Sequence, residues 1–388
     1  MSERGSNPEL RVVIHQPALP YYRIPVFREL ATRSGVVLSV LHGSEVGVPQ
    51  AAPNGFEAKE SPIRTVGTRA AFYWAPDQWT LFTRTRPDVV VLNWNVRYLG
   101  LVPSLLRAKH RDVGVVLWGH GFSKKESRVR RWARLAVGRL ADVVVLYDHN
   151  TAGELVHQHG FARDRVFVAP NTIDQDPIKA AQALVTADPG RLEAFKTEHK
   201  LTDRTVLFLS RLDPRNRVDV LLEAVAHLRT HDRAVRCVVM GSGPDLPVLT
   251  NRVTQLGLTD TVSFVPGTYD ETELAPWFLS TNVFCYPSNA GLSLMHAFSY
   301  GLPVVVGNDR SSHNPEISSV RDGENGLLFS HNDSWALADV LRRFFIDDAL
   351  QGRLRAGAIA TAEQHPIKEM VDGLEAAIRA AGQLHKRN

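Results

Sequence analysis

The stretch Val283-Phe-Cys-Tyr286-Pro-Ser288-Asn289-Ala-Gly291-Leu292-Ser-Leu-Met-His296-Ala-Phe-Ser-Tyr-Gly301-Leu-Pro-Val-Val-Val306 reads as a strand, a loop, a helix and a second strand. Residues 283–286 and 303–306 are continuous apolar runs without polar alternation. Such runs suit parallel strands covered by helices on both faces. Between them, residues 291–300 form a helix pattern that Gly301 and Pro303 bring to an end. A strand–helix–strand unit of this kind is the repeating piece of a doubly wound α/β sheet.

The same alternation extends in both directions. In the second half, strands are predicted upstream at 205–210, 235–240 and 261–265, with helices at 218–229, 245–256 and 271–279, and a further helix downstream at 335–345. The first half repeats the scheme, with strands at 10–15, 36–41, 88–92, 113–118, 142–147 and 165–169. Its helices fall at 22–31, 99–109, 128–140 and 151–159. The sequence therefore predicts an α/β protein of two doubly wound, Rossmann-like domains facing a central cleft. Their expected bounds are 1–175 and 190–365, separated by a polar, proline-bearing and partly helical stretch at 174–189. A C-terminal helix within 366–388 is expected to join the first domain.

A chain of 388 residues fits two domains of roughly 150–200 residues each. Hydrophobic residues make up 44% and charged residues 22%, enough for two full cores. The formal net charge of +4 suits an anionic small ligand or an acidic membrane surface. It is too small and dispersed to argue for nucleic acid. Cys237 and Cys285 sit in apolar runs and read as buried free thiols of a reducing compartment. Residues 1–9 lack the apolar core of an export signal, and no apolar run approaches the ~20 residues of a membrane span. The expected location is cytoplasmic, with a possible peripheral place at the inner membrane face.

In open α/β sheets, ligands bind beyond the carboxyl ends of the strands, so the loops there carry the chemistry. The first loop of the second half is Arg211-Leu-Asp-Pro-Arg215-Asn-Arg217-Val-Asp219. Three guanidiniums beside a helix start are placed to neutralise a diphosphate, Arg211 foremost and one of Arg215 or Arg217 with it. A solvated turn is the plainer reading. Gly241-Ser-Gly243 allows either a close approach to ligand or a tight turn. Val265-Pro-Gly267 offers backbone groups to a nucleobase, and Asp270 reads as a helix cap. The helix expected from Gly291 presents free amides around Gly291 and Leu292 to an anion. His296 in that helix reads equally as a core residue or a ligand contact.

In order and spacing these loops resemble the retaining glycosyltransferase family 4 of the two-Rossmann GT-B fold. The resemblance also rests on Leu256-Gly-Leu-Thr-Asp-Thr-Val-Ser-Phe264, Gly301-Leu-Pro, Asn314-Pro-Glu-Ile317 and Asp322-Gly-Glu-Asn-Gly-Leu-Leu-Phe329. It implies that a nucleotide diphosphate sugar is the donor substrate and that a hexose-type sugar passes to a saccharide or lipid-linked acceptor with retention of configuration. Neither a metal nor another cofactor is expected. The chain departs from the family at two glutamates with seven residues between them, whose places hold Ser288 and His296, and at a lysine whose place holds Asn216. Ser288 or Asn289 is then expected on the donor sugar, and His296 on the ribose.

In the first half, Gly119-His120-Gly121 resembles the family's histidine beside the donor sugar, which makes His120 and Arg211 the expected catalytic pair. Tyr21, Tyr22, Arg23 and Trp94 are expected on the acceptor side, with Asp148 at the same strand ends. Residues 124–139 carry Lys124, Lys125 and five arginines against one Glu126. Val129, Trp132, Ala136 and Leu140 share one helical face there. That face either packs on the core or meets an anionic membrane. Two rival functions stay open: a glycosyltransferase-shaped binding protein without catalysis, and a nucleotide-sugar epimerase.

Overall fold

The computed structural model describes residues 9–44, 50–67, 72–122, 124 and 127–385. Lys125 and Glu126 of the basic segment lie outside the described residues. The chain divides into two compact units. Residues up to Asn171 and the helix from Ile367 form one, and Thr172–Pro366 form the other.

The first unit is built on strands β1 (Leu10–Gln16), β2 (Val36–His42), β3 (Glu57–Glu60), β6 (Val89–Asn93), β7 (Gly114–Trp118), β8 (Val143–Leu146) and β9 (Val166–Val168). They form one parallel sheet in the order β3-β2-β1-β6-β7-β8-β9. β4 (Arg64–Val66) and β5 (Phe72–Trp74) pair as a separate antiparallel hairpin. Helices α1 (Ile24–Ala31), α2 (Pro76–Arg84), α3 (Leu101–His110), α4 (Arg128–Leu140) and α5 (His149–His157) connect the strands.

The second unit opens with α6 (Asp176–Thr186) and α7 (Pro189–Glu198), so the stretch 174–189 is largely helical and belongs to this unit. Its strands are β10 (Thr205–Leu209), β11 (Arg236–Met240), β12 (Val262–Val265), β13 (Val283–Tyr286), β14 (Val304–Gly307) and β15 (Gly326–Phe329). All are parallel, in the order β12-β11-β10-β13-β14-β15. Between and after them lie α8 (Val218–Arg229), α9 (Leu246–Gln255), α10 (Glu271–Leu279), α11 (Ser293–Ser299), α12 (Ser334–Ile346) and α13 (Asp348–Glu363). β13 and β14 are buried along their whole length and β10 nearly so, as a sheet covered on both faces requires. Both cysteines are buried and free, and burial pushes the Cys237 thiol up to about 12.

The last helix, α14 (Ile367–His385), packs on the first unit's sheet. Met370, Val371, Leu374, Ala377, Ile378 and Ala381 are wholly inaccessible in that contact. The approach is close: a Cβ on Gly373 would lie 2.0 Å from the Val168 carbonyl oxygen. Both units are thus Rossmann-like α/β domains, each sheet reversing its strand order once.

Candidate functional site

In the second unit the order reverses between β10 and β13, so a ligand crevice is expected beyond their carboxyl ends. The loops that leave those two strands are stitched together. The Tyr286 hydroxyl is 2.8 Å from Ser210 Oγ. Asn216, only 2% exposed, donates from Nδ2 to the Arg211 carbonyl at 2.6 Å. Its Oδ1 accepts from Asn289 Nδ2 at 2.8 Å, and its carbonyl accepts from the Ser288 amide at 3.3 Å. Asn216 therefore fixes the arginine loop against the β13 loop. Sequence reading saw only that a lysine was missing there. The positive backbone angle at Asn289 (φ 59°) completes the turn.

The β13 loop is also held from its other side. The Ala290 amide donates to His313 Nδ1 at 3.2 Å, which leaves the proton on His313 Nε2 to donate to the Gly307 carbonyl at 2.9 Å. Asn314 Nδ2 donates to the Asn289 carbonyl at 3.1 Å, and a Cβ on Gly291 would sit 3.0 Å from that same nitrogen. Gly241 and Gly243 meet their neighbour loop rather than open space. A Cβ on Gly241 (φ 144°) would lie 1.9 Å from the Ser210 oxygen, and one on Gly243 2.2 Å from the Leu212 oxygen. The Gly241 amide donates to the Val265 carbonyl at 2.8 Å, joining the third loop to the set. Asp270 caps α10 as its sequence suggested, accepting from the Thr272 amide at 2.8 Å.

The three arginines differ. Arg211 is exposed at the β10 end. Arg215, also exposed, pairs with Asp213 at 2.8 Å, and that contact holds the Asp213 carboxyl below its usual range. Arg217 adopts a left-handed conformation (φ 54°), pairs with Asp219 at 3.0 Å and reaches Asn332 Oδ1. A bound diphosphate would have to compete with a carboxylate for Arg215 or Arg217.

Two expectations change. The helix expected from residue 291 is α11, which starts at Ser293 and is seven residues long. Gly291 and Leu292 therefore lie in the loop. His296, 8% exposed, points into the packing between α10 and α11. Its Nε2 is 3.0 Å from Glu271 Oε2, its ring is 4.8 Å from Phe278, and the Tyr300 hydroxyl donates to the same carboxylate oxygen at 2.8 Å. That ring nitrogen is already engaged, which argues for a core role over a ribose contact. Ser288 is 6% exposed.

In the first unit the reversal falls between β1 and β6. Arg23 ends the turn after β1 and is 6% exposed. Its guanidinium lies over Trp118 (4.6 Å), Tyr22 (5.3 Å) and Tyr147 (5.4 Å), and donates to the Tyr147 hydroxyl at 3.1 Å. His120 follows β7 with its ring 4.9 Å from Tyr147. Its pKa is lowered to about 4, first by desolvation and then by the charges of Arg23, Lys124 and Arg134. The residue keeps solvent contact and is neutral near pH 7. Tyr147, which brings Arg23 and His120 together, was not singled out from sequence. Its position at the end of an apolar strand run was the available signal.

Tyr21 is exposed and Tyr22 half-buried beside Arg23. Trp94 is different. It is 2% exposed, its indole N–H donates to the Arg134 carbonyl at 3.2 Å, and Gly138 of α4 is pressed against its ring. It has no surface for an acceptor and serves the core. Asp148 caps α5 through the Thr151 amide at 2.8 Å.

Comparison with known proteins agrees with this division. Residues 190–361 match the sequence model described as Glycosyl transferases group 1, and residues 27–177 that described as Glycosyltransferase Family 4. A D-inositol 3-phosphate glycosyltransferase of Streptosporangium roseum is 32% identical over 58% of this chain and 52% of its own length. A GDP-mannose-dependent phosphatidylinositol monomannoside mannosyltransferase of Mycolicibacterium smegmatis is 28% identical over 68% of each. The chain thus spans about half the length of the first relative and two thirds of the second. Among solved structures, Anabaena HepE in complex with UDP superposes with a TM-score of 0.72 at 16% identity, over 96% of this chain and 100% of that one. Sucrose-phosphate synthase of Thermosynechococcus elongatus gives 0.71 at 16% identity, over 98% and 100%. Each unit thus matches a glycosyltransferase sequence model over most of its length, and the two Rossmann-like units have the fold of GT-B glycosyltransferase structures.

Proposed function

We propose that the protein transfers a hexose-type sugar from a nucleotide diphosphate donor to a saccharide or lipid-linked acceptor, with retention of configuration. The observation that carries this reading is the β10–β13 crevice. There Asn216 locks the Arg211 loop to the Ser288–Gly291 loop at a strand-order reversal, the place where open α/β sheets bind nucleotides. Arg211 and the loop amides take the diphosphate, and Arg215 or Arg217 joins them by releasing its carboxylate. Gly241 and Gly243 let their loop pack closely on the Arg211 loop.

In the reaction, the bond from the anomeric carbon to the phosphate oxygen breaks and the bond to the acceptor oxygen forms. The acceptor proton passes to the departing phosphate. Charge grows on that phosphate as the bond breaks, so a cation already in place stabilises the transition state more than the ground state. This route calls for no carboxylate base where Ser288 and His296 stand, and the arginines supply the charge a metal would otherwise bring. UDP and GDP sugars are the first donors to try, given the UDP complex of HepE and the GDP-mannose dependence of the mycobacterial relative. The test is donor consumption with and without crude lipid and saccharide acceptors. Turnover that requires acceptor and collapses in Arg211→Ala supports transfer. Conversion of the donor without acceptor points to an epimerase, and no conversion to a binding protein.

A peripheral membrane contact through α4 belongs to the same reading. Val129 is 76% and Trp132 71% exposed, so the apolar stripe faces outward, while Leu135 and Gly138 face the core. Arg128 and Arg139 flank that stripe, and α4 contains no acidic residue. A helix of this kind suits an anionic leaflet.

A further inference from the structure

Arg23 and Arg33 bracket the same helix, α1, and are treated in opposite ways. Arg33 is met by Glu29 and Asp372 at 3.0 and 2.9 Å and by Glu375 at 3.6 Å, although its side chain is one-fifth exposed. Arg23 is more deeply buried, yet among the described residues no carboxylate pairs with it. Its partners are three aromatic faces, the Tyr147 hydroxyl and the Met370 sulfur. None of these carries a negative charge. Aromatic faces attract a cation but do not neutralise it, and a buried guanidinium is ordinarily matched by an oxyanion. Nearby, Lys124 and Arg134 add to the positive field at His120. Arg23 also stands on the loop after β1, at the strand-order reversal of its sheet.

We propose that Arg23 anchors an oxyanion subsite in the first unit, which takes a phosphate or carboxylate group carried by the acceptor. The proposal rests on the reading of this unit as the acceptor-binding half. A planar guanidinium fits either group in bidentate fashion, and Tyr147, already hydrogen-bonded to Arg23, holds it in place. The neutral His120 ring then lies beside the bound anion without repelling it and without contributing charge.

The test follows the ring resonances of His120, assigned with His120→Gln, in the full chain labelled with ring-13C histidine. Inorganic phosphate and glucuronate are the probes, and glucose is the neutral control. The expected result is a saturable shift of the His120 signals, and a raised titration midpoint, with phosphate, glucuronate or both. The probe that acts identifies the group. Glucose should be silent, and Arg23→Met should abolish the response. Arg23→Lys, which keeps the charge and loses the fork, should weaken it about tenfold and serves alone if Arg23→Met does not fold. A His120 signal unmoved by either anion, moved as strongly by glucose, or moved with unchanged affinity in the arginine variants overturns the proposal. Nucleoside diphosphate binding to the same samples, read from resonances of His296 and His313, reports separately on glycosyl transfer. Its absence from the wild-type protein would defeat that reading and leave the His120 response to be judged alone.

Discussion

At the scale of single residues, the account separates groups that touch the ligand from groups that hold the loops. Arg211 belongs to the first kind. Its replacement by alanine should lower kcat/KM by about 10²–10³, the usual loss when one pre-placed transition-state donor is removed. Asn216 belongs to the second. Asn216→Ala removes the side-chain bonds to the Arg211 carbonyl and to the Asn289 amide, and should cost about 1–3 kcal/mol in denaturant unfolding. It should also weaken nucleoside diphosphate binding, because two loops lose their common register. An unchanged affinity would show that Asn216 is a bystander. His120 yields a prediction about pH. With its pKa lowered to about 4, it is uncharged throughout pH 5–8, so kcat/KM should show no inflection near 6.5 that Gln at this position removes. The partner of His296 was not legible in the sequence because Glu271 is 25 residues away and in another helix.

At the scale of elements, periodicity gives the face of a helix but not its direction. The stripe at Val129, Trp132 and Leu140 was plain in the sequence, yet Leu135 and Gly138 on the opposite side make the core contact. Trp132→Ala should therefore leave unfolding free energy within about 0.5 kcal/mol of wild type, as for other surface changes. The same change should reduce cosedimentation with vesicles rich in anionic phosphatidylglycerol, with little binding to neutral phosphatidylcholine in either protein. Binding that ignores lipid charge would count against the basic flanks. The helix α14 behaves oppositely, since its Met370, Val371, Leu374 and Ile378 are wholly inaccessible. Removing residues 367–388 should unfold the first unit, seen as loss of its share of the cooperative transition. Several elements that escaped sequence reading, though not β15 or α2, share a weak apolar signal. β3 (Glu57-Ala-Lys-Glu60) is an edge strand of mostly charged residues, β4 and β5 form an exposed hairpin, and α13 buries mainly alanine and threonine.

At the scale of the whole molecule, acid should weaken the fold through a buried histidine. His15 is wholly buried in β1, and desolvation lowers its pKa to about 4. Between pH 6.5 and 4 the unfolded chain binds a proton that the folded ring refuses, so stability falls as pH drops. The full loss from this residue is about 3 kcal/mol. His120 contributes in the same direction but less, being open to solvent. His385 opposes them. Despite desolvation, its pKa is raised by hydrogen bonds to Asp112 and Asp142, so it stabilises below its ordinary value and loses that effect as pH rises through the folded one. The expected outcome is a lower Tm at pH 5 than at pH 7, with a flatter profile in His15→Gln. The two-sheet architecture was legible because eleven apolar runs announced parallel strands. The stitching of loops by Asn216 and the unpaired charge of Arg23 were not, because both depend on which side chains the folded loops bring within a few ångströms.

The central claim is that the β10–β13 crevice binds a sugar-linked diphosphate through Arg211. Isothermal titration of the full chain and of Arg211→Ala with UDP, GDP and TDP tests it most directly. The account predicts saturable one-to-one binding of at least one of the three to the wild-type protein, with affinity at least tenfold weaker in the variant. Failure of all three to bind, or equal affinity in both proteins, would contradict it.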